Sequence, residues 1–201
     1  MTSLERHPIE VESYRILYER VDLSTWPPGQ RDVVARMIHA TADESFATSA
    51  RIGVDAISTA LSALRRGAPI IVDSTMVAAG ARQIVTTCML DDVAVAPEGS
   101  TRSAAAMALA ARHHPDGAIW VIGNAPTALF EVLALHERGD ISPAAVIGLP
   151  VGFVGAAEAK AALWAGPLSS ISITNAGERG GSPVAAAVLN ALRRLHEGDP
   201  C

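Results

Sequence analysis

The stretch Ala118–Leu129 reads AIWVIGNAPTAL. An apolar run rich in Ile and Val ends at Gly123. Asn124, Ala125 and Pro126 follow, and a helical pattern then continues to Arg138. A short unbroken apolar run suits a strand buried on both faces. Proline fits the first turn of a helix, where its missing N–H would have had no partner. A strand, a tight turn and a helix make the unit of a parallel α/β sheet.

The unit recurs along the chain. Pro69–Asp73 (PIIVD), Gln83–Met89 (QIVTTCM), Ala144–Pro150 (AAVIGLP) and Ser170–Thr174 (SISIT) are apolar runs expected as strands. Val54–Arg66, Thr101–His114, Ala125–Arg138, Gly155–Trp164 and Pro183–His196 are expected as helices, with stop signals at Arg66-Gly67, Arg138-Gly139 and Ala165-Gly166. Ahead of the first strand, Pro8–Leu23 and Gly29–Ala50 read as two further helices separated by Pro27-Pro28. The expectation is one α/β domain over residues 1–201: a Rossmann-like, doubly wound, mostly parallel sheet with helices on both faces and extra N-terminal helices.

Composition agrees and excludes several classes. The 201 residues are 49% hydrophobic but only 4% aromatic, with Ala and Val supplying the surplus, so small side chains pack helices on a sheet. The net charge of −5, with no basic stripe and few stacking rings, argues against a nucleic-acid groove. No apolar run is long enough to span a bilayer, and a cytoplasmic setting is expected. The cysteines, Cys88 and Cys201, form no CxxC, and His113 and His114 point about 100° apart on a helix, so no metal site is expected. Gly148, Gly152 and Gly155 miss the GxGxxG spacing of dinucleotide sites. GxxxxGK[ST] and GxSxG are missing too, and no cofactor is expected.

Chemistry is then sought where parallel strands end, because ligands collect at their carboxyl ends. Those ends carry Asp73–Met76, Gly123–Pro126, Gly148–Gly155 and Thr174–Ser182, each rich in turn residues that a crossover also needs. On the helix before them, Val33, Val34, Met37 and Ile38 form an apolar stripe, and His39 falls nearly opposite, beside Ala35, Ala42 and Phe46. Such a histidine is either a surface or interface residue or a catalytic one, with Asp43 at i+4 placed to orient the imidazole. Ser100 reads as the N-cap of the following helix. Free N–H groups and Arg102 offer a carboxylate site there, against the plainer reading of a capped helix with a solvated Arg. Asn124 and Thr127 can offer hydrogen bonds at another helix start. Glu158 and Lys160 read as solvated charges in the first turns of theirs.

Five motifs in order, RMIHA (Arg36–Ala40), STRSAAA (Ser100–Ala106), GNAPTAL (Gly123–Leu129), PVGFVGAAEAK (Pro150–Lys160) and RGGS (Arg179–Ser182), resemble the precorrin-8X methylmutase family, also called cobalt-precorrin-8 methylmutase. The resemblance runs from about Pro8 to Leu195. It implies an isomerase of corrin biosynthesis that moves a methyl group from C-11 to C-12, giving hydrogenobyrinate or, with cobalt, cobyrinate. It implies a tetrapyrrole substrate bearing carboxylate arms, no redox cofactor, and a homodimer with its cleft near the subunit interface. The family's proton-transferring histidine matches His39, its substrate-contacting serine matches Ser13, and its arginine at a helix start matches Arg102. Arg36, Thr101, Asn124, Thr127, Gly152 and Phe153 are expected to complete the substrate contacts. The segment Thr86–Gly99 is shorter than the family's usual one. The alternatives are a non-catalytic tetrapyrrole-binding or carrier protein and, disfavoured by the missing fingerprint, a small oxidoreductase.

Overall fold

The computed structural model describes residues 7–81 and 83–199; Cys201 lies outside them. Five strands form one sheet: β1 (Ala50–Ile52), β2 (Ile70–Val72), β3 (Ile119–Ile122), β4 (Ala145–Gly148) and β5 (Ser172–Asn175), in the order β1-β5-β4-β3-β2. β2 to β5 are parallel, and β1 pairs antiparallel with β5 at the edge. The helices are α1 (Pro8–Arg20), α2 (Pro28–Thr41), α3 (Phe46–Ser49), α4 (Ala56–Arg65), α5 (Thr75–Gly80), α6 (Arg102–His113), α7 (Pro126–Glu137), α8 (Ala156–Ala165) and α9 (Ser182–Glu197), with a 3-10 turn at Ser169–Ile171. The α/β class with helices on both faces is the one expected.

Alternation along each strand sorts the core into two layers. Ile70, Val72, Ile119, Val121, Ala145, Ile147 and Ile173 face one layer, built with α1, α2, α4 and α9. Ile71, Trp120, Ile122 and Val146 face the other, with α6, α7 and α8. The winding differs from a doubly wound sheet. β2, β3, β4 and β5 follow one another in a single direction across the sheet. Right-handed crossovers then put α6, α7 and α8 on the same face. The opposite face is covered by the N-terminal helices and α9, so the parallel strands have no reversal point. Gly123 sets how closely α9 approaches: a Cβ there would lie 2.7 Å from the Ala185 Cβ and 2.7 Å from Val77.

Two expectations about elements change, and one unexpected strand joins the sheet. The helical run read as Gly29–Ala50 breaks at Thr41. Ala42 takes a left-handed conformation (φ 52°), Thr41 Oγ1 bonds back to the Met37 carbonyl (2.8 Å), and the Asp43 carboxylate accepts from the Ser45 N–H (3.0 Å). The polar run Thr41–Ser45 thus supplies local hydrogen bonds that compete with the helix. The break frees residues 50–52 to become β1, whose short sequence carries no periodic signal. Gln83–Met89 is not a strand. Thr87 alone bridges β2, through Thr87 N–H to Ile70 O (2.8 Å) and Val72 N–H to Thr87 O (2.9 Å). Ile84 and Cys88 pack on one layer, and Met89 and Leu90 on the other. The segment is apolar because it wraps the sheet edge and touches both cores.

Candidate active site

His39 sits in the last turn of α2, half-buried, and the helix that crosses it there is α1. α1 begins at Pro8 and carries Glu10, Ser13, Tyr14 and Leu17 at helical spacing, so Tyr14 and Leu17 enter the core while Glu10 and Ser13 reach the seam with α2. Ser13 Oγ lies 3.0 Å from His39 Nδ1, and the Tyr14 ring stacks on the imidazole at 4.7 Å with 6° between planes. With Nδ1 engaged, Nε2 makes no hydrogen bond among the described residues. The i+4 reading of Asp43 is overturned: α2 has ended before it, and its carboxylate pairs with the Arg179 guanidinium instead. The small-residue face also changes, because Ala35 and Phe46 are core residues and only Ala42 stays exposed.

A charge network borders the imidazole. Glu10 Oε1 accepts from Arg36 Nη1 at 2.8 Å and from Arg194 Nη1 at 2.9 Å, and Arg36 also donates to Tyr14 OH at 2.9 Å. Arg194 further pairs with Asp199 at 3.4 Å. Burial pushes the Glu10 carboxyl up, but the hydrogen bonds and charges of Arg36 and Arg194 outweigh it and hold it below the usual range. Burial lowers the His39 pKa, and the Arg36 and Arg194 cations add to this, while Glu10 opposes them. Glu10, Ser13, Arg36 and His39 line an open pocket of about 660 Å³, closed below by Gly80 of α5 and by Pro183, Ala186 and Asn190 of α9. A smaller pocket of about 130 Å³ lies on the other side of His39, against Leu17, Arg20 and Glu44.

Of the residues expected from sequence, Ser13, Arg36 and His39 share this pocket. The others stand elsewhere along the carboxyl edge of the sheet. Thr101, not Ser100, caps α6: its Oγ1 accepts from the Ala104 N–H at 3.1 Å and lies 2.8 Å from Thr127 Oγ1 in the first turn of α7. The Arg102 guanidinium donates to the carbonyls of Val93 and Leu90, both at 2.9 Å, and staples the short segment 86–99. Asn124 is exposed, with its backbone N–H held by Asp73 (2.8 Å). Gly152 and Phe153 lie in the loop after β4, where Phe153 is 91% exposed. Among the described residues no cluster of His, Cys, Asp or Glu suits a metal ion.

Two residues to which the sequence assigns no site role hold this edge together. Asp73, fully buried, ends β2. Its carboxylate accepts N–H bonds from Gly123 (2.9 Å), Asn124 (2.8 Å) and Ala125 (2.8 Å). Burial pushes its carboxyl up, and the three backbone donors only partly offset this. Lys160 is buried rather than solvated, while Glu158 is exposed as expected. Both had a legible signal: an acid closing an apolar strand, and the single lysine of a chain with 16 Lys and Arg residues.

An imidazole fixed through one nitrogen, beside a Glu–Arg network in an open pocket, stands on a Rossmann-like, mostly parallel sheet. The CbiC precorrin-8X methylmutase family matches residues 8–195, and the chain belongs to that family. It is an isomerase, a methylmutase of cobalamin biosynthesis. A precorrin-8X methylmutase from Sinorhizobium sp is 40% identical, over 90% of this chain and 91% of its own. A cobalt-precorrin-8 methylmutase from Methanocaldococcus jannaschii is 40% identical, over 80% of this chain and 77% of its own. The crystal structure of precorrin-8X methyl mutase from Thermus thermophilus aligns with a TM-score of 0.83 at 36% identity, covering 96% of this chain and 98% of that one. Among the described residues no helix is long and apolar enough to cross a membrane.

Proposed function

We propose that this methylmutase moves a methyl group from C-11 to C-12 of precorrin-8X or its cobalt form, with His39 lending a proton to the macrocycle and taking it back. The observation that carries this reading is the placement of His39. One ring nitrogen is held by Ser13, one ring face by Tyr14, and the other nitrogen is left for a ligand. Protonation draws electron density toward the ring. The C-11–methyl bond then breaks as the C-12–methyl bond forms, and the proton returns to His39. Atoms and electrons balance within the substrate, so neither oxidant nor methyl donor is consumed.

The depressed pKa fits a proton donor that is completed by its substrate. In the free protein near pH 7 the imidazole is mostly neutral. Carboxylate arms entering the pocket bring negative charge beside it and raise its pKa, so the imidazolium forms where it is needed. A protonated donor requires kcat/KM to fall as pH rises through the lowered pKa of the free enzyme, and the limb in kcat to lie at higher pH. Following conversion of precorrin-8X by its visible spectrum over pH 5–8 tests this. Binding without spectral change makes the protein a carrier; turnover with a flat profile removes His39 as donor. Parallel turnover of the metal-free and cobalt-loaded substrates decides between the two forms.

Ser13 and Arg36 are assigned to substrate at the His39 pocket. Thr101, Arg102, Asn124, Thr127, Gly152 and Phe153 line no part of that pocket, which fits a homodimer whose second chain completes the cleft. Phe153 and Val154 are almost wholly exposed next to Gly155, against which Phe130 packs, and they form an apolar face for such a contact. Sedimentation should give twice the chain mass for the wild type and a single mass for Phe153→Asp; a monomeric wild type rejects the shared cleft. A cytoplasmic setting is part of this proposal, and the sparse cysteines support it.

A further inference from the structure

Lys160 is the only lysine in the chain, and its side chain is 1% exposed in the second turn of α8. Among the described residues no carboxylate lies within ion-pair distance of its Nζ. The ammonium instead donates to Asn175 Oδ1 at 3.2 Å and to the backbone carbonyl of Arg179. Asn175, buried at the end of β5, turns its Nδ2 onto the carbonyls of Ala176 and Arg179, both at 3.0 Å. Two buried donors thus converge on one carbonyl of the loop 176–181. Burial holds the Lys160 pKa down to about 8, with the exposed Glu178 charge opposing.

The same loop is bound on two further sides. The Gly181 N–H donates to Leu149 O at 2.8 Å, and the Gly152 N–H donates to Glu178 O at 3.2 Å, joining it to the loop after β4. Gly180 is packed so closely that a Cβ would lie 2.4 Å from the Leu149 carbonyl oxygen, so no other residue fits there. The Arg179 side chain reaches the opposite way, to the Asp43 carboxylate and to Ser45 Oγ at 3.4 Å, on the turn that follows His39. The loop therefore ties the end of the His39 helix to the loop bearing Gly152 and Phe153, and Lys160 grips it from inside.

Resting on the methylmutase reading, we propose that Lys160 is a positioning residue for the reaction: its ammonium fixes the loop 176–181 and thereby the two walls of the substrate cleft. Burying an ammonium costs several kcal/mol in general, and an apolar side chain of the same length would fill the space without that cost. The charge is retained for what it orders. It lies away from the His39 pocket, so its loss should weaken substrate and transition state alike.

The test compares wild type with Lys160→Met, which keeps the stem and removes the donor, and Lys160→Arg, which keeps a charge. Lys160→Met should raise KM for precorrin-8X about tenfold, the scale of one charge-assisted hydrogen bond, with kcat within about twofold. Amide hydrogen exchange across 176–181 should accelerate, and Lys160→Arg should recover part of both. A lower Tm with KM and loop exchange unchanged makes Lys160 a packing residue only and overturns the proposal. If neither variant folds, wild-type protein labelled at lysine Cε gives a single resonance for Lys160. It must shift when the corrin product binds; an unmoved signal at saturation overturns the proposal. Wild type that neither binds nor converts precorrin-8X overturns the functional reading, and this one with it. Wild type that converts while Lys160→Met behaves identically overturns this one alone.

Discussion

Two regions of this protein hold charge inside the fold, and they hold it in opposite ways. Around His39, Glu10 is shared by Arg36 and Arg194, which also engage Tyr14 and Asp199, and Glu10 and Arg36 line an open pocket with the imidazole. At the carboxyl edge of the sheet, Asp73 and Lys160 are buried with backbone and amide dipoles as partners and, among the described residues, no opposite charge in contact. The first arrangement is adjustable, because a ligand's charge entering the pocket changes every pKa in it. The second is fixed, because dipoles of the main chain cannot move without moving the fold. The proposed chemistry sits in the adjustable region, and the fixed region keeps the geometry of the sheet edge.

Substitutions can break this division. The largest effect is expected at His39: His39→Ala should lower kcat by roughly 10²–10⁴-fold, the usual worth of a positioned acid–base group, while binding of the macrocycle persists by calorimetry. Full activity in that variant would move the proton chemistry elsewhere. Asp73→Ala should cost about 3 kcal/mol, because three buried N–H groups lose their acceptor. For a chain of this length that lowers Tm by about 5–10 °C in a thermal melt. A Tm within about 1 °C of wild type would show that water replaces the carboxylate and that the edge is not fixed.

Glu10→Gln sharpens the comparison. Glu10 is the one group that raises the His39 pKa, so removing its charge lets that pKa fall further. The descending limb of kcat/KM should move to lower pH, with the plateau on its acid side still present; an unmoved limb would uncouple the network from the imidazole. The smallest effect belongs to Ser13→Ala, which removes one hydrogen bond to Nδ1 and leaves the Tyr14 stack in place. That loss of about 1 kcal/mol should lower kcat/KM about fivefold. An unchanged kcat/KM would remove Ser13 both as anchor of the imidazole and as substrate contact.

Much of the sheet was legible because it repeats one local unit. The runs ending in Asp73, Gly123 and Leu149-Pro150 are apolar on both faces, and prolines at 126 and 183 mark helix starts. What misled was apolar character without periodicity. Gln83–Met89 looks like a strand because it serves both cores at the sheet edge, and β1 looks like nothing because three residues carry no pattern. The site was legible in part. The helical wheel moved His39 off the apolar stripe, but it also assumed a helix running past Thr41 and so chose Asp43 as its partner. Lys160 reads as a solvated charge because a sequence does not show the carbonyl of Arg179, and it hides equally the carbonyls of residues 90 and 93 that anchor Arg102.

By itself the sequence determined the α/β class, the order of its units and the family, through hydrophobic period, turn residues and contiguous motifs, all of which are local. Tertiary structure alone decided which residues meet. α1 crosses α2 so that Ser13 and Tyr14 hold His39, Glu10 collects an arginine from residue 36 and another from residue 194, and Lys160 reaches across to the loop after β5. The physical reason is that burial and hydrogen bonding depend on distances across the fold, and those distances are set only when two layers of helices close on the sheet.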